Sequence, residues 1–224
     1  MSMEKELAPF HKCGKALFLE INMKEFLPYD KVRNGALKMA HRILEEGFIP
    51  DVIYVSLRGG AYVGNVVSEY FKIARKDVHP VLYAAVVARS YTDIRAHDRV
   101  MIDGWTYSPE HLRPGDKILL IDDIFDTGRT INYLVEVLLE KGIPRDDVKV
   151  AVHDYKYYTY YEQQLPIQPD YWCRKFEIHS PEEDRWIHYM SHELVGLSAK
   201  ELEQNYYNED PELRAALEPL LGKA

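Results

Sequence analysis

Short apolar runs alternate along this chain with longer segments in which apolar residues recur every three to four positions. Runs of mostly apolar residues bounded by turn residues are typical of buried strands in parallel sheets. The runs that predict such strands are 51–57, 81–88, 118–121 and 148–152. An earlier run, 16–21, predicts an edge strand or the first part of an N-terminal flap.

Helices are predicted between these strands. The segments with helical periodicity are 29–46, 61–71 and 131–141, and a glycine follows the first and the last of them, as is typical of helix ends. Strands that alternate with helices predict an α/β fold with a mostly parallel twisted sheet and helices on both faces. In such sheets ligands bind beyond the carboxyl ends of the strands.

Three segments do not fit this alternation. Residues 89–114 have weak periodicity and many charges, and a connection of this length is typical of a lid or a binding loop. Residues 157–192 are rich in aromatic side chains and interrupted by prolines, which indicates a small hood subdomain. Ser198 and Glu201 have the spacing of a capping box, and Leu202 then opens a terminal helix.

Composition and charge narrow the class of protein. The chain has 224 residues and a formal net charge of −8, which argues against a nucleic-acid-binding face. Its two cysteines, Cys13 and Cys173, lie far apart and indicate a reducing compartment. No apolar stretch approaches roughly 18 residues and the N-terminus lacks a signal-peptide core. We therefore expect a soluble, cytoplasmic protein with no membrane partner.

The predicted strands end in polar residues that we expect to converge on one crevice. The most distinctive segment is 117–130, KILLIDDIFDTGRT, in which a buried strand runs through acids and a Gly/Thr turn into a helix. The first turn of a helix has unpaired N–H groups and the positive end of the helix dipole, so this segment predicts a phosphate cup with carboxylates at its lip. Its candidate residues are Asp122, Asp123, Asp126, Thr127, Gly128, Arg129 and Thr130.

This segment resembles the phosphoribosyl-pyrophosphate (PRPP) signature of the type I phosphoribosyltransferases. The resemblance implies the fold of that family, a mostly parallel sheet with a small hood. It also implies that residues 126–130 bind the 5′-phosphate of PRPP while Asp122 and Asp123 accept hydrogen bonds from the ribose hydroxyls. Asp126 would lie near N7 of a purine and act as the general base. Mg²⁺ is the implied cofactor, with Asp122 and Asp123 on the metal side.

Two further segments resemble parts of the same family. Leu57, Arg58 and Gly59 match the loop that holds pyrophosphate, which often contains a non-proline cis peptide, here expected between Leu57 and Arg58. Ser90 and Tyr91 resemble the Ser-Tyr pair of the flexible lid of 6-oxopurine phosphoribosyltransferases. The lid would exclude water from the reacting centre.

The base-binding residues are also implied by resemblance, in this case to hypoxanthine-guanine and xanthine-guanine phosphoribosyltransferases. Lys156 matches the lysine that donates to the exocyclic O6 of the purine. Trp186 matches the aromatic residue that stacks on the base, and Ile187 supplies main-chain contacts. Glu193 matches an acid that holds Mg²⁺ through water, although some relatives place this acid where the chain has His192.

These observations predict a purine-salvage phosphoribosyltransferase. It would transfer the 5-phosphoribosyl group from PRPP to hypoxanthine, guanine or xanthine. The alternative is a PRPP-sensing regulatory protein of the same fold without transferase activity. We expect a single domain with a core at about 29–156, a hood at about 157–197 joined by 10–28, and a helical tail at 198–224. The resemblance also implies a homo-oligomer, either a dimer or a tetramer.

Overall fold

The computed structural model describes residues 24–75, 79–93, 96–208 and 210–221, with the side chains of 89–99 and 220–221 excepted. The strand predicted at 16–21 lies outside these residues. The described strands are β1 (Lys24–Leu27), β2 (Val52–Leu57), β3 (Leu82–Asp93), β4 (Ala96–Trp105), β5 (Ile118–Phe125), β6 (Val148–Tyr158), β7 (Tyr171–Ile178) and β8 (Trp186–Tyr189). The described α-helices are α1 (Tyr29–Glu45), α2 (Gly60–Ala74), α3 (Arg129–Glu140), α4 (Ala199–Leu202) and α5 (Glu212–Leu221).

The main sheet has the order β4-β3-β2-β5-β6-β7, and every neighbouring pair is parallel except β3 and β4. This confirms the prediction of a mostly parallel sheet. β1 and β8 form a separate two-stranded parallel sheet. No helix of the described ranges is long and apolar enough to cross a membrane.

The central strand β5 is buried on both faces, which explains its unbroken apolar run. Leu119 and Ile121 pack into one core with residues of α1 and α2, and Ile118 and Leu120 pack into a second core with α3. Successive side chains of a strand point to opposite faces, so one apolar run serves both cores. Helices therefore flank both faces of the sheet, as the sequence predicts.

The sequence analysis treated 89–114 as a connecting loop, but much of this segment forms β-strands. β3 continues to Asp93, and β4 returns beside it as an antiparallel edge strand. An edge strand is covered on one side only, and Met101 of β4 is half exposed. Such a strand needs no continuous apolar run, so its charged sequence gave little sign of regular structure.

Two strands are longer than their apolar runs. β5 continues past 121 to Phe125, and β6 continues past 152 to Tyr158, with Asp122 paired to Val152 and Phe125 paired to Tyr155. Polar side chains inside these extensions have hydrogen-bond partners, which offsets the cost of burying them. Lys156 consequently lies within β6 rather than beyond its end.

The aromatic segment after β6 divides between the two sheets. β7 extends the main sheet beside β6, whereas β8 pairs with the N-terminal strand β1. Ser198 caps α4 in a capping box with Glu201, and this confirms the predicted helix start. The tail then continues through a π-helix (Glu203–Tyr207) to α5. The division into core, hood and tail stays a prediction.

Candidate active site

The strand order places a topological switch point between β2 and β5. From β2 the chain continues to β3 on one side, and from β5 it continues to β6 on the other side. Ligands of open α/β sheets bind at such a point, beyond the carboxyl ends of the strands. The loop after β2 and the loop after β5 therefore lie side by side at the edge of the sheet where a ligand is expected.

The loop between β5 and α3 has the backbone of an anion site. Gly128 has a φ of 74°, and a Cβ added there would lie 2.2 Å from the Phe125 ring. Both the left-handed conformation and the close ring favour glycine. α3 begins at the next residue, and its first N–H groups have no partners within the helix. Thr127 and Arg129 are exposed beside them, and Thr130 is half-buried.

Asn132 fixes the position of this loop, and the sequence analysis did not identify it. Its buried side chain donates to the carbonyl oxygens of Gly128 and Ile167, at 2.9 Å each. The main-chain N–H of Ile167 donates back to Asn132 Oδ1 at 2.9 Å. The available signal was a polar residue on the apolar face of a predicted helix, which indicates a side chain satisfied by distant backbone.

Asp122 and Asp123 lie within β5 and accept hydrogen bonds from the main chain. Asp123 N donates to Asp122 Oδ1 at 3.0 Å, and Ile124 N donates to Asp123 Oδ1 at 2.8 Å. Burial raises the pKa of Asp122 well above its usual value, and the charge of Asp123 raises it further, while a hydrogen bond from Ser56 acts in the opposite direction. This pair therefore favours a ligand that brings hydrogen-bond donors or positive charge.

The loop after β2 packs directly against this pair of acids. A Cβ added to Gly59 would lie 2.3 Å from both carboxylate oxygens of Asp123, so the close approach requires glycine. The peptide bond between Leu57 and Arg58 is cis, as the resemblance implied. Arg58 is exposed at the start of the loop. The candidate pyrophosphate loop thus borders the two candidate ribose-binding acids.

A chain of side-chain contacts links Asp126 to Lys156. Tyr158 Oη donates to Asp126 Oδ1, and the same hydroxyl lies 3.1 Å from Asp184 Oδ2. The buried Lys156 donates from Nζ to Asp184 Oδ1 at 2.6 Å. The candidate general base and the candidate base-reading lysine are therefore connected through Tyr158 and Asp184. Tyr158 and Asp184 were not apparent from the sequence, because their partners lie 26 to 32 positions away along the chain.

Trp186 and Ile187 lie on β8. The Trp186 side chain is half exposed, and Ile187 is buried. Glu193 Oε2 accepts from the Trp186 indole at 3.4 Å and from the main-chain N–H of Tyr189 at 3.3 Å. Burial raises the pKa of Glu193, and these two hydrogen bonds act in the opposite direction. The Glu193 carboxylate is thus engaged by the residues around it.

His192 is the neighbour that reaches the acid pair. Its Nε2 atom lies 3.3 Å from Asp123 Oδ2, and its ring stacks on Tyr189 with centroids 5.4 Å apart. The sequence left open which of His192 and Glu193 serves the metal side of the site. In the structure His192 contacts Asp123, which is a candidate metal ligand. The Glu193 carboxylate instead accepts hydrogen bonds from Trp186 and Tyr189.

A buried polar network below the site joins β8 to the main sheet, and it too was missed. Tyr189 Oη lies 2.5 Å from Asp154 Oδ2 and 3.1 Å from the main-chain oxygen of Asp123. Asp154 also contacts His153 Nδ1 at 2.9 Å and accepts from Arg174 Nε. Burial on its own would raise the pKa of Asp154, but the hydrogen bonds from His153 and Arg174 outweigh it and lower the pKa.

Ser90 and Tyr91 belong to β3, beside β4. Their side chains are outside the described part of the chain, so their role as a lid stays a prediction. Within the described ranges no group of three or more His, Cys, Asp or Glu side chains could hold a metal ion. The donor set still fits Mg²⁺, because this ion is commonly held by one or two carboxylates together with substrate phosphates and water. Asp122 and Asp123 supply such a pair.

Comparison with known proteins identifies the family. The family model described as the phosphoribosyl transferase domain matches residues 25–166. The chain therefore belongs to the phosphoribosyltransferase family, whose members bind PRPP and a base. This confirms the resemblance seen in the sequence, and it assigns no particular base.

Individual relatives are distant. The chain is 26% identical over 142 residues to the bifunctional protein PyrR of Geobacter sp. strain M21, a match that covers 62% of this chain and 76% of the relative. It is 44% identical over 41 residues to the hypoxanthine/guanine phosphoribosyltransferase of Methanohalophilus mahii, covering 18% of this chain and 22% of that protein. A purine phosphoribosyltransferase from Pyrococcus horikoshii has a similar structure, with a TM-score of 0.58, 18% identity, and coverage of 78% of this chain and 97% of that chain. This structural likeness shows the fold alone.

Proposed function

We propose that the protein transfers the 5-phosphoribosyl group of PRPP to a 6-oxopurine, namely hypoxanthine, guanine or xanthine. The products are the nucleoside 5′-monophosphate and pyrophosphate. The observation that carries the proposal is the contact chain from Asp126 through Tyr158 and Asp184 to Lys156. It joins a carboxylate at the phosphate loop to a buried ammonium, a combination that suits a substrate with a ring N–H near one group and a carbonyl near the other.

PRPP occupies the crevice at the switch point in this proposal. The N-terminus of α3 and the turn before it bind the 5′-phosphate, since unpaired N–H groups and the helix dipole favour an anion. Asp122 and Asp123 accept hydrogen bonds from the ribose hydroxyls. The loop after β2 faces the pyrophosphate, and the hairpin of β3 and β4 at the edge of the sheet covers the site. The residues assigned to these roles are Leu57, Arg58, Gly59, Ser90, Tyr91, Asp126, Thr127, Gly128, Arg129 and Thr130.

The base lies between Lys156 and Trp186. The Lys156 ammonium donates to the carbonyl oxygen at C6, whereas a 6-amino group would place a donor against a donor. The half-exposed Trp186 stacks on the purine ring, and Ile187 contributes main-chain contacts at the ring edge. Asp126 accepts the proton that the purine nitrogen loses as the new glycosidic bond forms.

Mg²⁺ is part of the proposal because family members use it together with PRPP. Bound with the pyrophosphate, it neutralises the charge that develops on the leaving group. Asp122 and Asp123 are the carboxylates that would hold it, and Glu193 would act through water. The close packing of Gly59 against Asp123 keeps the carboxylate oxygens beside the loop after β2.

The second candidate is a PRPP-binding regulatory protein without transferase activity. The similarity to the bifunctional protein PyrR supports it, because a protein with two functions has a role besides one enzymatic activity. The formal net charge of −8 gives no support to a nucleic-acid partner for such a protein. We also propose a cytoplasmic homo-oligomer, a dimer or a tetramer, which sedimentation analysis would test.

A panel assay separates the two candidates. The protein is incubated with PRPP and Mg²⁺ and one base at a time: hypoxanthine, guanine, xanthine, adenine or uracil. We expect pyrophosphate release with one or more of the 6-oxopurines and none with adenine. PRPP binding without release for any base would support the regulatory candidate, and release with adenine or uracil alone would overturn the choice of base.

A further inference from the structure

Tyr158 lies between the two carboxylates that flank the candidate base pocket. Its hydroxyl donates to Asp126 Oδ1 and lies 3.1 Å from Asp184 Oδ2. A phenol has a single hydrogen to donate, so it can be given to only one of the two carboxylates at a time. Burial raises the pKa of Tyr158, and both carboxylates raise it further, so the hydroxyl keeps its hydrogen under all working conditions.

The neighbour of Asp184 decides which carboxylate receives this hydrogen. Lys156 Nζ lies 2.6 Å from Asp184 Oδ1 and compensates the charge of that carboxylate. Hydrogen bonds from neutral donors to a charged carboxylate are short and strong. The Lys156–Asp184 pair therefore directs the Tyr158 hydrogen onto Asp126.

The ring of Tyr158 is itself held in place. It stacks on Tyr161 with centroids 4.8 Å apart and an interplanar angle of 22°, and Tyr160 meets its edge at 5.8 Å. Rings fixed by aromatic neighbours have few alternative rotamers. The packing of the ring therefore holds the hydroxyl in a fixed position beside the Asp126 side chain, which is exposed at the rim of the loop.

We propose that Tyr158 is a positioning residue for phosphoribosyl transfer to the base. Asp184 and Lys156 together determine which carboxylate receives the hydrogen bond from the Tyr158 hydroxyl. Tyr158 holds Oδ1 of Asp126, which leaves the second oxygen of that carboxylate aimed at the ring N–H of the purine. No proton leaves Tyr158: the purine proton passes to Asp126 alone. Asp184 joins recognition of the C6 carbonyl to the placement of the proton acceptor. This inference rests on the proposed transferase function.

The main test compares Tyr158→Phe with the wild type in single-turnover transfer to hypoxanthine at saturating PRPP. Phe keeps the stacked ring and removes the hydroxyl. We expect the transfer rate to fall about 10- to 100-fold, because a hydrogen bond to a charged group is lost, with the KM for PRPP unchanged. Tyr157→Phe is the matched control, since Tyr157 is the preceding residue of β6 and packs beside Tyr155 and Lys175. Its rate should equal that of the wild type.

A second comparison asks whether Tyr158 acts through Asp126. In an Asp126→Asn background the Tyr158→Phe change should cost nothing further, because the group it positions is already gone. Multiplied losses, or a rise in the KM for PRPP, would show that the hydroxyl merely supports the fold and would overturn the inference. Asp184→Asn should raise the KM for hypoxanthine, because Lys156 then lacks the carboxylate that holds its ammonium in position, whereas Tyr158→Phe should leave that KM unchanged.

The activity of the wild type distinguishes a failure of this inference from a failure of the proposed function. An active wild type whose Tyr158→Phe variant transfers at the same rate overturns this inference and leaves the proposed function standing. A wild type that transfers phosphoribose to no 6-oxopurine overturns the proposed function, and this inference falls with it.

Discussion

Three acids within five residues of the chain have different surroundings. Asp122 is held in β5 with a raised pKa, and Asp123 is pressed against the glycine of the neighbouring loop. Asp126 lies exposed at the rim, where Tyr158 donates to one of its oxygens. An exposed, oriented carboxylate can accept a proton from a substrate and pass it to water. Asp126 is therefore the residue to which we assign that step.

Replacing Asp126 by Asn tests this assignment. The amide keeps the size of the side chain and cannot act as a proton acceptor. We expect the turnover number for hypoxanthine to fall about 100-fold or more, while PRPP binding is retained because main-chain N–H groups of the turn and α3 bind the 5′-phosphate. The measurement is steady-state pyrophosphate release over a range of PRPP concentrations. An unchanged turnover number would refute the role.

Replacing Lys156 by Met tests how the base is read. The variant keeps the length of the side chain but removes the ammonium that faces the C6 carbonyl. We expect kcat/KM for hypoxanthine to fall about 10- to 100-fold, the worth of a hydrogen bond to a charged group. The affinity for PRPP, measured by calorimetry, should change little. Equal losses for both substrates would contradict a role confined to the base.

At the scale of elements, apolar runs predicted the strands that are buried on both faces. The run before Asp122 identified β5 because its side chains fill both cores. The edge hairpin of β3 and β4 was not predicted, since a half-covered strand tolerates charged residues. The ends of β5 and β6 were placed too early for a related reason. Their polar residues are stabilised by partners from distant segments, which a single sequence does not reveal.

The network around Asp154 illustrates this limit. The sequence places Asp154 beside other polar residues at a strand end, with no sign that it is fully buried. In the structure it lies beneath Tyr189 and receives hydrogen bonds from Arg174 and His153. These contacts bring β7 and β8 together under the site. The network thus connects β8, which carries the candidate base-stacking residue Trp186, to the main sheet.

Replacing Asp154 by Asn should destabilise the fold by about 3 kcal/mol at neutral pH, because Arg174 then lacks its buried carboxylate. The folded-state pKa of Asp154 is lowered, so its contribution is complete above the unfolded-state pKa of about 4 and is lost as the pH falls through the lower folded value. Urea unfolding of the wild type and the variant should therefore differ equally at pH 5 to 7 and less below about pH 4. A difference that is the same at pH 3 as at pH 7 would contradict this account.

At the scale of the whole molecule, two parts of the chain meet at the switch point. The phosphate loop and the glycines after β2 were visible in the sequence, because short-range turn chemistry determines them. The candidate base side depends on contacts between β6, the turn before β8, and β8 itself. Those contacts include Tyr158 and Asp184, which no local pattern marks. Local chemistry therefore predicted the candidate sugar-phosphate side of the site, and tertiary packing was needed to connect it to the candidate base side.

The central claim is transfer of phosphoribose to a 6-oxopurine, and a competition experiment tests it most directly. The wild-type protein is supplied with PRPP, Mg²⁺ and equal concentrations of hypoxanthine and adenine, and the nucleotide products are separated and identified by mass. The account predicts the 5′-monophosphate of hypoxanthine, with pyrophosphate in equal amount, and no adenine nucleotide. Formation of the adenine nucleotide, or of no nucleotide at all, would contradict it.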